Sequence, residues 1–154
     1  MFSAKEAIRV LKDHLSDQGL KFTQQRRLVT EAFYDPEFRE HHPTVEELYL
    51  RVRKLDNRVG YATVYRTLKL LRDCGLASPS RLGDNLTRYE PEVPGEHHDH
   101  LVCSECGAII EFENEEIEQL QERVAQAYGF RLTDHKMVLF GQPSEGCAIP
   151  QCRR

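Results

Sequence analysis

Apolar residues along the first half of the chain recur at helical rather than strand spacing. Ala7, Ile8, Leu11 and Leu15 lie one, three and four apart, which predicts an amphipathic helix from Ala4 to Leu15 that Gly19 ends. A second stripe of Leu28, Val29, Ala32 and Phe33 follows Thr23, a suitable N-cap, and must stop before Pro36. Thr44 and Glu47 stand at capping-box spacing ahead of Val45, Leu48, Tyr49, Val52 and Leu55, a third helix. The fourth runs from Ala62 to Cys74 on Val64, Leu68 and Leu71, and Gly75 closes it. Two short helices joined by a tight turn read as a helix-turn-helix. Leu76–Leu82 and Thr87–Glu90 flank Gly83-Asp84-Asn85 as a β-hairpin, so this half predicts a winged helix whose last helix enters a DNA major groove.

The pattern changes after Pro91-Glu92-Val93-Pro94-Gly95, the best linker in the chain. Strands are expected at His98–Val102 and Ala108–Phe112, then a helix at Glu115–Tyr128 carrying Ile117, Leu120, Val124 and Ala127, with Gly129 at its end. Phe130–Leu132 and Lys136–Phe140 read as further strands. The fold class is α+β: an N-terminal winged helix-turn-helix domain at 1–90, a hinge at 91–95 and a small α/β domain at 96–154. Some sixty residues make a thin core, which predicts a homodimer formed by pairing sheets, with bound zinc adding stability.

Composition narrows the partners. Of 154 residues, 40% are apolar and 30% charged, ordinary for a soluble protein, and no apolar run approaches the ~20 residues that span a bilayer. The first residues lack a signal-peptide core, so the expected location is cytoplasmic, with no membrane partner. In that reducing compartment five cysteines favour metal ligation over disulfides. The net charge of −4 is unevenly divided: residues 1–90 carry 16 Lys+Arg against 13 Asp+Glu, and residues 91–154 carry 5 against 12. A basic half suited to nucleic acid is joined to an acidic half rich in oxygen ligands.

The densest chemistry lies in His97-His98-Asp99-His100-Leu101-Val102-Cys103-Ser104-Glu105-Cys106. In an extended strand His98 and His100 share one face, and His97 and Asp99 the other, so one segment serves two sites. Cys103 and Cys106, with Cys147 and Cys152, form two short-spaced pairs that fit a closed tetrahedral structural zinc site. A redox Cys-x-x-Cys needs no second pair, and Cys74 stands outside the set as a small buried residue. Paired histidines such as His41-His42 before a helix cap are ordinarily solvated loop residues unless partners come from elsewhere. A hydrolytic zinc centre would use three protein ligands and a water. With no His-Glu-x-x-His, nucleophile elbow or phosphate loop, an enzyme is the weaker class, and no catalytic residue is assigned.

Gly19-Leu20-Lys21-x-Thr23, His41-His42-x-Thr44-x-Glu46-Glu47-Leu48-Tyr49, Ala62-Thr63-Val64-Tyr65-Arg66, Arg88-Tyr89-Glu90, His97-His98-Asp99-His100, Cys103-x-x-Cys106-Gly107 and Ile110-Glu111-Phe112 together are highly specific. Over nearly its full length the chain resembles the ferric uptake regulator family of metal-dependent bacterial repressors. The resemblance implies a dimer that binds a palindromic operator in double-stranded DNA, with tetramers as a further assembly. It implies a regulatory Fe(II) site at His42, Glu90, His98, His100 and Glu111, where Mn(II) or Zn(II) can substitute. An auxiliary site is implied at His97, Asp99, Glu118 and His135, and structural Zn(II) at the four cysteines. DNA contacts fall to Lys21, Thr63, Tyr65 and Arg66. Glu90 and Glu111 favour a harder ion over the zinc-sensing branch, and peroxide sensing ranks second because that branch commonly has aspartate at the position of Glu111. Gln24-Gln25-Arg26-Arg27 departs from members that have a proline before the arginine.

Overall fold

The computed structural model describes residues 2–39 and 42–143. Its contacts divide into two units. One holds the chain up to Arg81 together with Asn85–Glu96, and the other holds Leu82–Asp84 and the chain from His97 onward.

The first unit is a winged helix-turn-helix. Helix α1 (Ala4–Asp17) opens with a complete capping box between Ser3 and Glu6 and buries Ala7, Ile8, Leu11 and Leu15. Helix α2 (Gln24–Phe33) starts at Thr23, whose hydroxyl accepts from the Arg26 amide, and buries Val29, Thr30, Ala32 and Phe33. A four-residue helix α3 (Pro36–Arg39) follows, which the apolar pattern did not announce because one turn is too short to carry a stripe. Helix α4 (Val45–Leu55) has the expected capping box at Thr44 and Glu47, and α5 (Tyr61–Asp73) buries Val64, Thr67, Leu68 and Leu71. The stripes meet in one core that includes Leu11, Leu15, Val29, Phe33, Leu48, Val52, Val64, Leu68 and Leu71. Strands β1 (Ala77–Ser80) and β2 (Arg88–Pro91) form the antiparallel wing, pairing Ala77 with Pro91 and Ser80 with Arg88. Pro79 is tolerated because each strand of a two-stranded ribbon is an edge. Tyr34, at the end of α2, is buried and donates its hydroxyl to the carbonyls of Leu76 at 2.7 Å and Glu92 at 3.1 Å, which pins both strands of the wing at their base.

The second unit is a three-stranded sheet in the order β4-β3-β5 with one helix. Strand β3 (Asp99–Cys103) pairs antiparallel with β4 (Ile109–Phe112) and parallel with β5 (Val138–Gly141), the latter reached through α6 (Glu115–Ala127). A parallel neighbour requires such a crossover, and the helix supplies it. Residues 130–132, expected as a strand, are irregular: the Phe130 amide donates back to the Ala125 carbonyl at 2.9 Å, closing the end of α6 instead of entering a ladder. No residue of α6 is buried: Leu120 is 53% exposed and Val124 52%, so the expected core stripe faces outward in a single chain. Tyr128, Phe130, Leu139 and Phe140 of the same unit are exposed too. Among the described residues no helix is long and apolar enough to cross a membrane.

Candidate metal centre and nucleic-acid interface

Within the first unit, His42 lies in the loop before α4, buried and in left-handed backbone conformation at φ 46°. Its Nε2 lies 3.2 Å from Oε2 of Glu90, which is contributed by β2. Residues separated by 48 positions are thus brought together, because β2 lies against the loop: the Tyr89 amide donates to the Pro43 carbonyl at 2.9 Å. His41, the other member of the pair, lies outside the described residues.

Within the second unit, pleating sorts the histidines as expected. The rings of His98 and His100 are 5.2 Å apart and nearly perpendicular. His100 pairs with Glu111 across the antiparallel ladder, and His98 Nε2 lies 3.8 Å from Glu111 Oε1. Two imidazoles and a carboxylate therefore converge on one face of β3 and β4, a nitrogen and oxygen set suited to a divalent ion.

His97, Asp99 and His135 make a separate group, with one ligand atom of each within 4.8 Å of the others. Asp99 Oδ1 is buried without a hydrogen-bond partner, 3.7 Å from Nε2 of both His97 and His135. A buried, unsatisfied carboxylate oxygen facing two ring nitrogens fits a cation between them. Glu118 stands in the first turn of α6 and is not part of this cluster.

Cys103 is buried at the end of β3, and Cys106 is half-buried in the turn that follows. Gly107, at φ 74°, lets the chain fold back so that its amide meets the Cys103 carbonyl at 2.9 Å. The Ala108 amide donates to Cys106 Sγ at 3.4 Å. Cys147 and Cys152 lie outside the described residues. Cys74, at the C-terminal end of α5, has its thiol pushed above the ordinary range by burial.

An open pocket of about 290 Å³ lies at the N-terminal ends of α2 and α5, with Lys21, Thr23, Gln25, Arg26, Thr63 and Arg66 among its lining residues. Tyr65 is exposed on the same helix but outside the lining. Arg26 donates from Nη1 to the Lys21 carbonyl, fixing the turn on which Lys21 sits. The neighbouring Phe22 ring packs under Lys12 Nζ at 5.1 Å and the Arg27 guanidinium at 5.7 Å. Arg26 and Gln25 line this pocket as well, though the sequence does not single them out as DNA contacts. Their only signal was the unusual Gln-Gln-Arg-Arg run, which periodicity cannot distinguish from a solvated first turn.

Comparison with known proteins gives a consistent result. A model of the ferric uptake regulator family matches residues 17–140. The ferric uptake regulation protein of Rhizobium leguminosarum bv. viciae is 44% identical over 138 residues, covering 90% of this chain and 94% of that one. The structure of the Helicobacter pylori ferric uptake regulator, described as revealing three functional metal binding sites, has a TM-score of 0.80 at 31% identity, covering 94% of this chain and 93% of that chain. A zinc-bound manganese uptake regulator is similar at 43% identity and a TM-score of 0.62, with 87% and 98% covered.

Proposed function

The chain belongs to the ferric uptake regulator family, and from that membership we infer that it is a metal-responsive, DNA-binding transcriptional regulator, specifically an Fe(II)-dependent repressor of iron-uptake genes. The observation that carries this reading is the meeting of His42 and Glu90 at 3.2 Å. Glu90 stands on the wing strand and His42 in the loop before α4, so this candidate ligand pair joins the hairpin to the start of α4.

The regulatory ligands are assigned to His42 and Glu90 before the hinge and to His98, His100 and Glu111 after it. A bound divalent ion supplies the positive charge that lets Glu90 and Glu111 share one site. The five side chains then couple metal occupancy to the placement of the winged helices, by favouring the arrangement in which both recognition helices of a dimer reach successive half-sites. Such ligands also accept Mn(II) or Zn(II) by the general affinity order. The hinge is placed at 91–95, between a DNA-binding domain at 1–90 and a dimerisation domain at 96–154. Structural Zn(II) is assigned to Cys103, Cys106, Cys147 and Cys152, and the auxiliary site to His97, Asp99 and His135 with Glu118.

Homodimerisation is supported by the outward stripe of α6. Among the described residues few apolar side chains of the second unit are buried, while Leu120, Val124, Tyr128 and Phe130 are exposed. Covering the remaining exposed half of Leu120 or Val124 is worth on the order of 1 kcal/mol each, which a second copy supplies. For DNA, Thr63, Tyr65 and Arg66 of α5 face a palindromic operator, with Lys21 at its flank.

Gel shifts on a palindromic promoter fragment test this function. Retardation is expected with Fe(II), and also with Mn(II) or Zn(II). His98→Ala should abolish the metal dependence while leaving a folded dimer. No retardation with any of the three metals would sink the repressor reading.

A further inference from the structure

We propose that Arg88 is a positioning residue for the regulatory metal site, holding His42 in the strained backbone conformation from which its ring meets Glu90; this rests on the ligand role proposed above for His42 and Glu90. A histidine at φ 46° occupies a region that costs of the order of 1–3 kcal/mol and persists only when its surroundings impose it. Three consecutive residues of β2 impose it. Arg88 Nη1 donates to the His42 carbonyl at 3.0 Å, the Tyr89 amide donates to the Pro43 carbonyl at 2.9 Å, and Glu90 Oε2 lies 3.2 Å from the His42 ring. The Arg88 guanidinium also reaches Glu47 Oε2 at 3.2 Å, the oxygen that caps α4 through the Thr44 amide at 2.8 Å. Arg88 therefore ties the wing strand, the His42 carbonyl and the start of α4 into one unit before any metal arrives.

The alternative role for a wing arginine is a phosphate contact. Its side chain is only 19% exposed and its Nη1 is engaged by the His42 carbonyl and the Glu47 carboxylate, which favours positioning. A preorganised ligand pair loses less entropy on binding than one that must first be ordered.

The test is Mn(II) affinity of the full-length protein by electron paramagnetic resonance, in a His135→Ala background that removes the auxiliary cluster, with Arg88→Gln and Arg88→Lys compared. Arg88→Gln should weaken Mn(II) at least about tenfold, and Arg88→Lys, which keeps the charge on a shorter arm, should fall between it and the parent. DNA affinity at saturating Mn(II) should stay within about twofold of the parent, and zinc content should not change. Unchanged Mn(II) affinity in both variants would overturn the inference. So would weakened DNA binding at saturating metal with Mn(II) affinity intact, since that identifies a phosphate contact. If the parent binds Mn(II) but shows no metal-dependent DNA binding, the repressor reading fails, while the shift in Mn(II) affinity still decides the role of Arg88.

Discussion

The Nε2 atoms of His97 and His135 lie 2.8 Å apart, across 38 residues of sequence, and both face the same oxygen of Asp99 at 3.7 Å. Two neutral imidazoles at that distance form at most one hydrogen bond, and Asp99 Oδ1 gains none from them. A divalent ion satisfies all three atoms at once. Asp99→Asn keeps the shape of the side chain and removes its charge. We expect this substitution to eliminate one equivalent of bound Co(II) per chain in an absorption titration, without changing the zinc content assigned to the cysteines. Full stoichiometry in both Asp99→Asn and His135→Ala would count against the site.

That cluster also shows what a sequence discloses. His97 and Asp99 were assigned to one site by strand pleating, because alternate residues share a face whatever the tertiary context. His135 was reached only through family resemblance, since nothing local ties an irregular segment before β5 to the start of β3. Helices α1, α2, α4 and α5 were legible because each carries a buried stripe and most carry a cap. The exposed stripe of α6 shows that periodicity reveals an apolar face without revealing what covers it. The Arg88 clamp on His42 was illegible because a side chain meeting a carbonyl 46 residues away leaves no spacing to read.

Tyr34 links the end of α2 to both strands of the wing at their base, and burial holds its phenol above the ordinary value of 10.0. Tyr34→Phe should cost about 1–3 kcal/mol in urea unfolding, toward the low end because the Leu76 carbonyl keeps the Glu92 amide at 3.1 Å. The sign of the pH effect follows from the raised value. The unfolded chain ionises first, so this contribution is complete below about pH 10 and is lost as pH rises toward the native value. The gap in urea midpoint between wild type and Tyr34→Phe should be narrower near pH 10.5 than near pH 8, and a constant gap would refute this account.

Cys103 is buried at the end of the central strand β3, in a unit where few of the described apolar side chains are buried. If its thiolate holds structural zinc, Cys103→Ala removes both a ligand and the stability that metal binding adds to folding. The expected result is loss of tightly bound zinc together with loss of the dimer, read by metal analysis and sedimentation velocity. A Cys103→Ala protein that is dimeric and zinc-free would contradict the assignment.

Lys21 and Tyr65 are expected to contribute to DNA binding by different physics. Lys21 is exposed on the turn that Arg26 fixes, at the rim of a pocket shared with Thr63 and Arg66, a position suited to a phosphate. Tyr65 is 51% exposed on α5 and presents an aromatic face, which can pack on a thymine methyl but carries no charge to displace counterions. Lys21→Ala should therefore weaken binding to all duplexes and reduce the slope of log K against log salt by about 1. Tyr65→Ala should leave that slope unchanged and relax preference at one operator position by about 1–3 kcal/mol. Anisotropy titrations with Mn(II)-loaded protein at several salt concentrations, on matched and single-substituted duplexes, separate the two. Equal slopes for wild type and Lys21→Ala would remove Lys21 from the phosphate contacts, and a changed slope in Tyr65→Ala would mean that its loss disturbs the backbone docking of α5 rather than base recognition.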